Sequence, residues 1–192
     1  MRINSATFLK SAADMEGLPN DTRAHVIFLG RSNVGKSSLL NALTGQKGLA
    51  HVSKTPGRTR LINLFDINHE FYFVDLPGYG YAKIPRPLQE EIAERISTYV
   101  HECEQIRLAV LICDAKIGPT DSDLEVRDLL LEAHSPFIVI ANKWDGLNTS
   151  ERVKSDKRYA EAFPGRTIVH HSTLSGEGRE QLLGLIGASL HG

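Results

Sequence analysis

The segment GRSNVGKS, from Gly30 to Ser37, constrains the fold of this chain more than any other stretch. It follows an apolar run at 24–29 that predicts a short buried strand, and it precedes leucines at helical spacing in 38–43. A Gly-x-x-x-x-Gly-Lys-Ser segment between a strand and a helix is a phosphate-binding loop, because its glycines let successive backbone N–H groups point at phosphate oxygens. Lys36 is expected to reach the β- and γ-phosphates, and the Ser37 hydroxyl to ligate Mg²⁺. The alternative is a glycine-rich turn with an incidental lysine.

The composition is that of one globular domain. The chain has 192 residues, of which 41% are hydrophobic and 23% are charged, which is enough for a single core. No apolar run approaches the roughly 20 residues needed to cross a bilayer, and the N-terminus lacks the apolar core of a secretory signal. The two cysteines, Cys103 and Cys113, have no partner at metal-ligand spacing. We therefore expect a soluble cytoplasmic protein without a membrane partner, a disulfide or a cysteine-bound metal.

Strand-like and helix-like segments alternate along the chain after an N-terminal lead of residues 1–22, which is expected to pack on a domain formed by residues 23–192. The Asn68-His69-Glu70 segment predicts a tight hairpin between antiparallel strands, whereas strands separated by helices should be parallel. The expected fold is a doubly wound α/β three-layer sandwich, with a six-stranded, mostly parallel sheet and one antiparallel edge strand. Strands are predicted at 24–30, 61–67, 71–75, 107–113, 137–141 and 167–171, and helices at 36–44, 88–103, 121–133, 150–162 and 177–190.

Asp75-Leu76-Pro77-Gly78 follows the predicted strand FYFV. A carboxylate at this strand end can hold a Mg²⁺-bound water, and the N–H of Gly78 can approach a γ-phosphate because glycine has no side chain. Alone, an Asp-x-x-Gly segment is better explained as a plain turn. After a strand that pairs beside a phosphate loop, it indicates a second part of a nucleotide site.

Asn142-Lys143-Trp144-Asp145 follows the predicted strand FIVIA and suits the recognition of guanine. An ionised Asp145 accepts hydrogen bonds from the N1–H and the exocyclic amine of guanine, whereas adenine would leave the carboxylate facing a lone pair. Such a mismatch rejects the wrong base by a factor on the order of 10⁴ in comparable sites. Asn142 is expected to brace neighbouring loops, and the Lys143 stem to cover one face of the base. A polar turn is the alternative for this segment taken alone.

The charge is unevenly distributed along the chain, although the net charge is only −1. No Asp or Glu occurs between Arg31 and Phe65, and this window contains six basic residues: Arg31, Lys36, Lys47, Lys54, Arg58 and Arg60. A phosphate site that excludes carboxylates explains part of the pattern, and the remainder predicts a basic face for an anionic partner. Acidic residues collect instead between Asp121 and Glu132.

The runs GRSNVGKSSLLNAL, SKTPGRTRLIN, DLPGYGYAK and NKWD, in this order, resemble the EngB/YihA family, which belongs to the translation-factor-related class of GTPases. The resemblance covers nearly all of the chain. It implies a single P-loop GTPase domain that hydrolyses GTP to GDP and phosphate, acts in assembly of the bacterial large ribosomal subunit, and is needed for normal division and septation. It also implies that His171-Ser172-Thr173 forms the fifth motif of this class, which contacts the guanine from the far side.

The motifs and the resemblance together predict the residues of the site. Mg²⁺ is expected to be held by Ser37 and Thr59 directly and by Asp75 through water; Thr55 and Thr59 both offer a hydroxyl, and the family pattern selects Thr59. The expected catalytic residues are Lys36, Thr59 and Asn33. The nucleotide is expected to contact Gly30, Arg31, Ser32, Asn33, Val34, Gly35, Lys36, Ser37, Ser38, Gly57, Arg58, Thr59, Arg60, Leu61, Asp75, Leu76, Pro77, Gly78, Asn142, Lys143, Trp144, Asp145, His171, Ser172 and Thr173.

Two residues bear on the rate of hydrolysis. Ras-like enzymes carry a Gln directly after the Gly of Asp-x-x-Gly to orient the attacking water; Tyr79 stands here, so we expect slow intrinsic turnover. Tyr79 is expected either to pack inside this segment or to stack on bases. In related GTPases an Asn at the place of Asn33 ligates K⁺, which neutralises charge that develops between the phosphates. A structural role for Asn33 in capping the loop is equally open.

The expected ligands are GTP and GDP with Mg²⁺ and, as a candidate, K⁺. The expected partner is a precursor of the large ribosomal subunit, with its rRNA and ribosomal proteins, and the chain is expected to be a monomer. The alternative function is a GTP-regulated binding protein that acts directly on a division or envelope protein without contacting RNA. An ATPase or a small-molecule kinase is a distant third, because Asp145 argues against ATP.

Overall fold

A computed structural model describes residues 1–50, 61–81 and 84–191. Within these ranges the predicted helices and strands are present, with bounds shifted by at most two residues, and one further strand precedes them. Helix α2 begins two residues earlier than predicted because prolines are tolerated in a first helical turn. The strands are β1 (Ala6–Ala12), β2 (Ala24–Gly30), β3 (Ile62–Ile67), β4 (Phe71–Asp75), β5 (Ile106–Asp114), β6 (Phe137–Asn142) and β7 (Ile168–His171); the helices are α1 (Lys36–Thr44), α2 (Arg86–Glu102), α3 (Asp121–Glu132), α4 (Thr149–Ala162) and α5 (Arg179–His191).

The described strands form one seven-stranded sheet in the order β1-β3-β4-β2-β5-β6-β7. Strands β4, β2, β5, β6 and β7 are parallel, while β3 is antiparallel to both of its neighbours, β1 and β4. The α/β fold with a mostly parallel sheet is therefore confirmed, but two details of the prediction were wrong. The sheet has seven strands instead of six, and its antiparallel strand lies one place inside the edge, because β1 covers it.

Strand β1 was missed because its sequence does not alternate between apolar and polar residues. Only its two terminal alanines, Ala6 and Ala12, are buried, and Phe8 is 52% exposed. The pairing with β3 shifts register between Phe8 and Lys10, which is a feature of bulged edge strands. An edge strand of this kind gains its stability from backbone pairing, which leaves no hydrophobic period in the sequence.

Helices cover both faces of the sheet, so that its central strands are buried on both sides. Strand β2 directs Ile27 and Leu29 into a core shared with α2, α3 and α4, and Val26 and Phe28 into a core shared with α1 and α5. This explains its uninterrupted apolar sequence. None of the helices in the described part of the chain is long and apolar enough to cross a membrane.

Parallel strands bring their carboxyl ends to the same edge of a sheet, which is where ligands bind in folds of this class. Gly30 ends β2, Asp75 ends β4, Asn142 ends β6 and His171 ends β7. The fold therefore collects the sequence motifs, separated by up to about 140 residues, at one edge of the sheet.

Candidate nucleotide-binding site

The loop from Gly30 to Lys36 is held in a conformation that requires glycine. Gly35 has a φ of 102°, and a Cβ there would overlap the side-chain amide nitrogen of Asn142. A Cβ at Gly30 would lie 2.8 Å from Val34 Cγ1. The two glycines of the motif thus allow a tight turn and a close approach by the Asn142 side chain, after which helix α1 begins at Lys36.

Lys36 and Asp75 form a buried ion pair between Nζ and Oδ1. Only 8% of Lys36 and 3% of Asp75 is exposed, so each charge depends on the other for compensation. The pair joins the first turn of α1 to the end of β4. It places the lysine of one motif against the aspartate of another.

The residues around this pair fit a Mg²⁺ ion. Mg²⁺ prefers hard oxygen ligands and usually binds through one or two carboxylates together with substrate phosphates. Asp75 supplies a carboxylate, and the half-buried Ser37 supplies a hydroxyl next to Lys36. In the ranges that the structure covers, no group of three or more His, Cys, Asp or Glu is arranged to hold a metal. A site at Ser37 and Asp75 would therefore share its ion with phosphate oxygens.

The remaining residues of the predicted phosphate region differ in how far they are exposed. Arg31, Ser32, Ser37 and Ser38 are half-buried in the loop or the first turn of α1, while Leu76 and Pro77 are buried directly after β4. Leu61 is exposed just before β3. The predicted contacts Gly57, Arg58, Thr59 and Arg60, and the alternative Mg²⁺ ligand Thr55, lie outside the described residues.

Asn142 connects the end of β6 to the phosphate loop. Its side-chain nitrogen donates a hydrogen bond to the backbone oxygen of Val34 at 2.9 Å, and the side chain is buried. Its side-chain oxygen lies 2.8 Å from His171 Nδ1. The structure thus brings three predicted site residues together across strands β2, β6 and β7.

Lys143 makes a second connection to the phosphate loop. It has a left-handed φ of 62°, and its Nζ donates to the backbone oxygen of Asn33 at 3.1 Å. The same Nζ pairs with Asp114 Oδ2 at 2.8 Å. Burial raises the pKa of Asp114, but the hydrogen bonds from Lys143 and from two backbone N–H groups outweigh it and hold the pKa below its usual value. Asp114 therefore stays ionised and keeps the lysine in place.

Trp144 and Asp145 form the short 3₁₀ turn after Lys143. Trp144 is buried and stacks on His170 with ring centroids 3.7 Å apart and planes 3° from parallel. His170 Nε2 in turn lies 2.7 Å from Asp156 Oδ1 on α4. Asp145 is exposed beside this packed pair, where a base could reach its carboxylate. The His170 stack was not predicted, because nothing in the sequence indicates that residues 26 positions apart meet.

The predicted fifth motif is split between the interior and the surface. His171 and Ser172 are buried, whereas Thr173 is exposed. Ser172 Oγ accepts hydrogen bonds from the backbone N–H groups of Leu174 and Ser175, at 3.2 and 3.1 Å. Of the three residues expected to contact the guanine, only Thr173 presents its side chain at the surface.

Tyr79 is buried, and it links the segment after Asp75 to helix α3. Its hydroxyl donates to Asp123 Oδ1 at 2.8 Å, and its backbone oxygen accepts from Ser32 N at 3.0 Å. Burial, and then the charge of Asp123, raise the pKa of Tyr79, so the phenol remains a hydrogen-bond donor. A Cβ at Gly78 would lie 3.1 Å from Ser32 Oγ, which shows how closely this segment approaches the phosphate loop. With only 8% of its surface exposed, Tyr79 has a packing position inside this segment.

We predict that Tyr79→Phe lowers stability but spares hydrolysis. The variant leaves Asp123 Oδ1 without its buried donor, which should cost about 1–3 kcal/mol of unfolding free energy in urea titrations. GTP turnover should change by much less than the roughly 10²-fold that accompanies loss of a catalytic group. Tyr81→Phe, at a half-buried neighbour, is the matched control for both measurements. A loss of turnover of 10²-fold or more on Tyr79→Phe would place Tyr79 in the catalytic machinery.

Three features of this doubly wound sheet together define a P-loop GTPase. They are the phosphate loop after the central strand, the aspartate after the neighbouring strand and the Asn-Lys-x-Asp segment at the same edge. A family model described as "50S ribosome-binding GTPase" matches residues 25–143. The "Probable GTP-binding protein EngB" of Chlorobaculum tepidum is 46% identical over 187 residues, 97% of each chain, and that of Clostridium beijerinckii is 40% identical over 95% of this chain and 94% of the relative. The chain belongs to the EngB family of GTP-binding proteins, and it is a GTPase.

Solved structures agree with this assignment. A crystal structure of a probable GTP-binding protein EngB superposes with a TM-score of 0.74 at 29% identity, covering 88% of this chain and 99% of that one. The structure of Era in complex with MgGDPNP and nucleotides 1506–1542 of 16S ribosomal RNA superposes with a TM-score of 0.67 at 26% identity, covering 86% of this chain and 56% of that one.

Proposed function

We propose that this GTPase is a switch in assembly of the large ribosomal subunit, and that it binds a subunit precursor in its GTP form and leaves after hydrolysis. The observation that carries the proposal is the window from Arg31 to Phe65, which has six basic residues and no acidic one. This window includes the phosphate loop, so a bound γ-phosphate would lie close in sequence to these basic residues. The description of the matched family supports a large-subunit partner, and the 16S ribosomal RNA bound to Era supports ribosomal RNA as the class of partner.

We propose the following division of roles within the site. The backbone of residues 30–38 and the Lys36 side chain bind the phosphates, and Asp145 reads the guanine. The ion at Ser37, Thr59 and Asp75 would be Mg²⁺, which neutralises charge on the phosphates when bound. The Lys36–Asp75 pair supports this arrangement because it holds the phosphate loop against the end of β4, and the Asn142–Val34 hydrogen bond supports it because it holds the base segment against the phosphate loop.

Slow turnover without a partner is part of the proposal. Tyr79 occupies the position of a water-orienting Gln, and its hydroxyl is engaged by Asp123. A phenol held in this way does not orient a water as a carboxamide does. Acceleration must then come from an ion or from the subunit precursor.

We predict that GTP turnover rises when K⁺ replaces Na⁺, and that Asn33→Ala removes this difference while GDP affinity stays nearly intact. Asn33 is exposed in the phosphate loop with a φ of 66°, and its carboxamide oxygen is a hard donor that suits an alkali cation. Steady-state rates in matched chloride salts provide the measurement. Asn20→Ala, on the exposed part of the N-terminal segment, should keep the K⁺ response. Equal wild-type rates in the two salts would exclude K⁺ as the activator.

The remaining features of the proposal concern the whole protein. We propose a cytoplasmic monomer whose G domain spans residues 23–192, with residues 1–22 as an N-terminal lead attached to it. The pairing of β1 with β3 supports such an attachment. A defect in subunit assembly would also disturb division and septation.

Sedimentation with large-subunit precursor particles tests the function. The wild type should pellet with the particles in a non-hydrolysable GTP analogue and remain in the supernatant with GDP. Lys47→Glu reverses an exposed charge in the basic window and should weaken pelleting, whereas Lys154→Glu on α4 is the matched control and should not. Equal pelleting with both nucleotides, or none with either, would overturn the proposal and favour a protein target without RNA.

A further inference from the structure

His171, at the end of β7, is buried without a role in the binding steps described so far. Its side chain is fully enclosed, and its Nδ1 lies 2.8 Å from the side-chain oxygen of Asn142. Asn142 and His171 are also register partners in the parallel pairing of β6 with β7. The contact is therefore fixed by the sheet as well as by the side chains.

The hydrogen bonds around Asn142 determine which nitrogen of His171 carries the proton. The nitrogen of the Asn142 amide already donates to Val34, so the oxygen of the same amide is left as an acceptor. An acceptor needs a donor, which makes His171 Nδ1 the protonated nitrogen. His171 Nε2 is then a lone pair, and it has no hydrogen-bond partner within the described residues.

The electrostatic surroundings agree with this neutral tautomer. Burial lowers the pKa of His171 to about 4, although the charge of Asp145 opposes the shift. Protonation would add a second N–H at Nε2, where no acceptor is available in the described structure. His171 thus remains a neutral donor aimed at Asn142 over the ordinary working range of pH.

We propose that His171 is a positioning residue for guanine-nucleotide binding, because its Nδ1–H fixes the orientation of the Asn142 amide that ties the guanine-reading segment to the phosphate loop. Without this donor the buried oxygen of the Asn142 amide has no partner, and only the hydrogen bond to Val34 holds the amide against the phosphate loop. The contact between the two parts of the site would then be weaker. The proposal rests on the assignment of Asn142 to Asp145 as the guanine-reading segment.

Three substitutions at His171 separate hydrogen bonding from packing. His171→Asn places an amide nitrogen close to the position of Nδ1 and keeps the donor. His171→Gln places its amide one atom further out, near Nε2, and His171→Leu removes the donor altogether. The matched control is His25→Leu: His25 is likewise buried, with a pKa that burial lowers to about 4, but it lies at the opposite end of β2 from the phosphate loop.

The readouts are the affinity for GDP by titration calorimetry and the steady-state KM and kcat for GTP. His171→Leu should weaken GDP binding about 10-fold or more and raise KM to a similar degree, while kcat changes by less than about threefold. His171→Asn should recover most of the affinity, His171→Gln should not, and His25→Leu should bind GDP as the wild type does. If the Leu variant fails to fold, the difference in affinity between the Asn and Gln variants still tests the proposal.

The proposal is overturned if His171→Leu binds GDP as tightly as the wild type, or if the Asn and Gln variants have equal affinities. Imidazole nitrogen chemical shifts give an independent reading, since they should identify the Nδ1–H tautomer of His171. Asp145→Asn in the same assays tests the guanine-reading segment separately from the role of His171. A preference of that variant for xanthosine nucleotides supports the segment assignment whatever the result at His171.

Discussion

Asp145→Asn should transfer the preference of this GTPase from guanosine to xanthosine nucleotides. In the proposed site the carboxylate of Asp145 would accept two hydrogen bonds from guanine, whereas an amide nitrogen at the same place would donate to the C2 carbonyl of xanthine. A polar mismatch in a site that depends on hydrogen bonds changes discrimination by a factor on the order of 10⁴. Competition between GDP and XDP for the wild type and the variant measures the change directly.

Asp145 is exposed, so its substitution should change base recognition without disturbing a buried contact. Asp128→Asn, at an exposed aspartate of α3, is the matched control and should keep full guanosine preference. If Asp145→Asn also kept that preference, the base would be read elsewhere and the assignment of the segment would be wrong.

Loss of the Lys36 charge should produce the largest change in stability. Lys36→Met keeps most of the apolar stem but leaves the buried carboxylate of Asp75 without its partner. Breaking a buried ion pair in this way costs about 3–5 kcal/mol. The variant should also lose GTP hydrolysis, because Lys36 is the phosphate-binding cation of the proposed site.

Urea unfolding of the single variants and the double variant checks the stability part of this prediction. Lys36→Met combined with Asp75→Asn removes both charges, so the double variant should be more stable than Lys36→Met alone. Strictly additive losses would show that the two side chains are not coupled, contrary to the buried pair in the structure.

The motifs and most elements of the fold were predictable because their signals are local. The leucines of α1, the apolar run of β2 and the glycines of the phosphate loop depend on neighbours within about ten residues. Strand β1 was not predictable, since its exposed Phe8 and Leu9 break the alternation that marks a half-buried strand. Its place in the sheet comes from pairing with β3, whose residues lie 50 to 61 positions further along the chain.

The contacts that join the motifs depend on the order of the strands, which the sequence does not state. Asn142 meets Val34, Lys143 meets Asp114, and Tyr79 meets Asp123, only because β2, β4, β5 and β6 are neighbours in one sheet. His171 illustrates the consequence. Its motif predicts a residue that contacts the base, and the structure buries it with its Nδ1 2.8 Å from the side-chain oxygen of Asn142.

Sedimentation of Asp145→Asn with large-subunit precursor particles tests whether the nucleotide read by Asp145 controls attachment to the ribosomal particle. The variant should pellet in a non-hydrolysable XTP analogue, but it should stay in the supernatant at a concentration of the GTP analogue that saturates the wild type. The wild type should show the reverse requirement on the same particles. Two results would show that this nucleotide does not control attachment. The variant would pellet equally with both analogues, or it would pellet with neither although it still binds XTP.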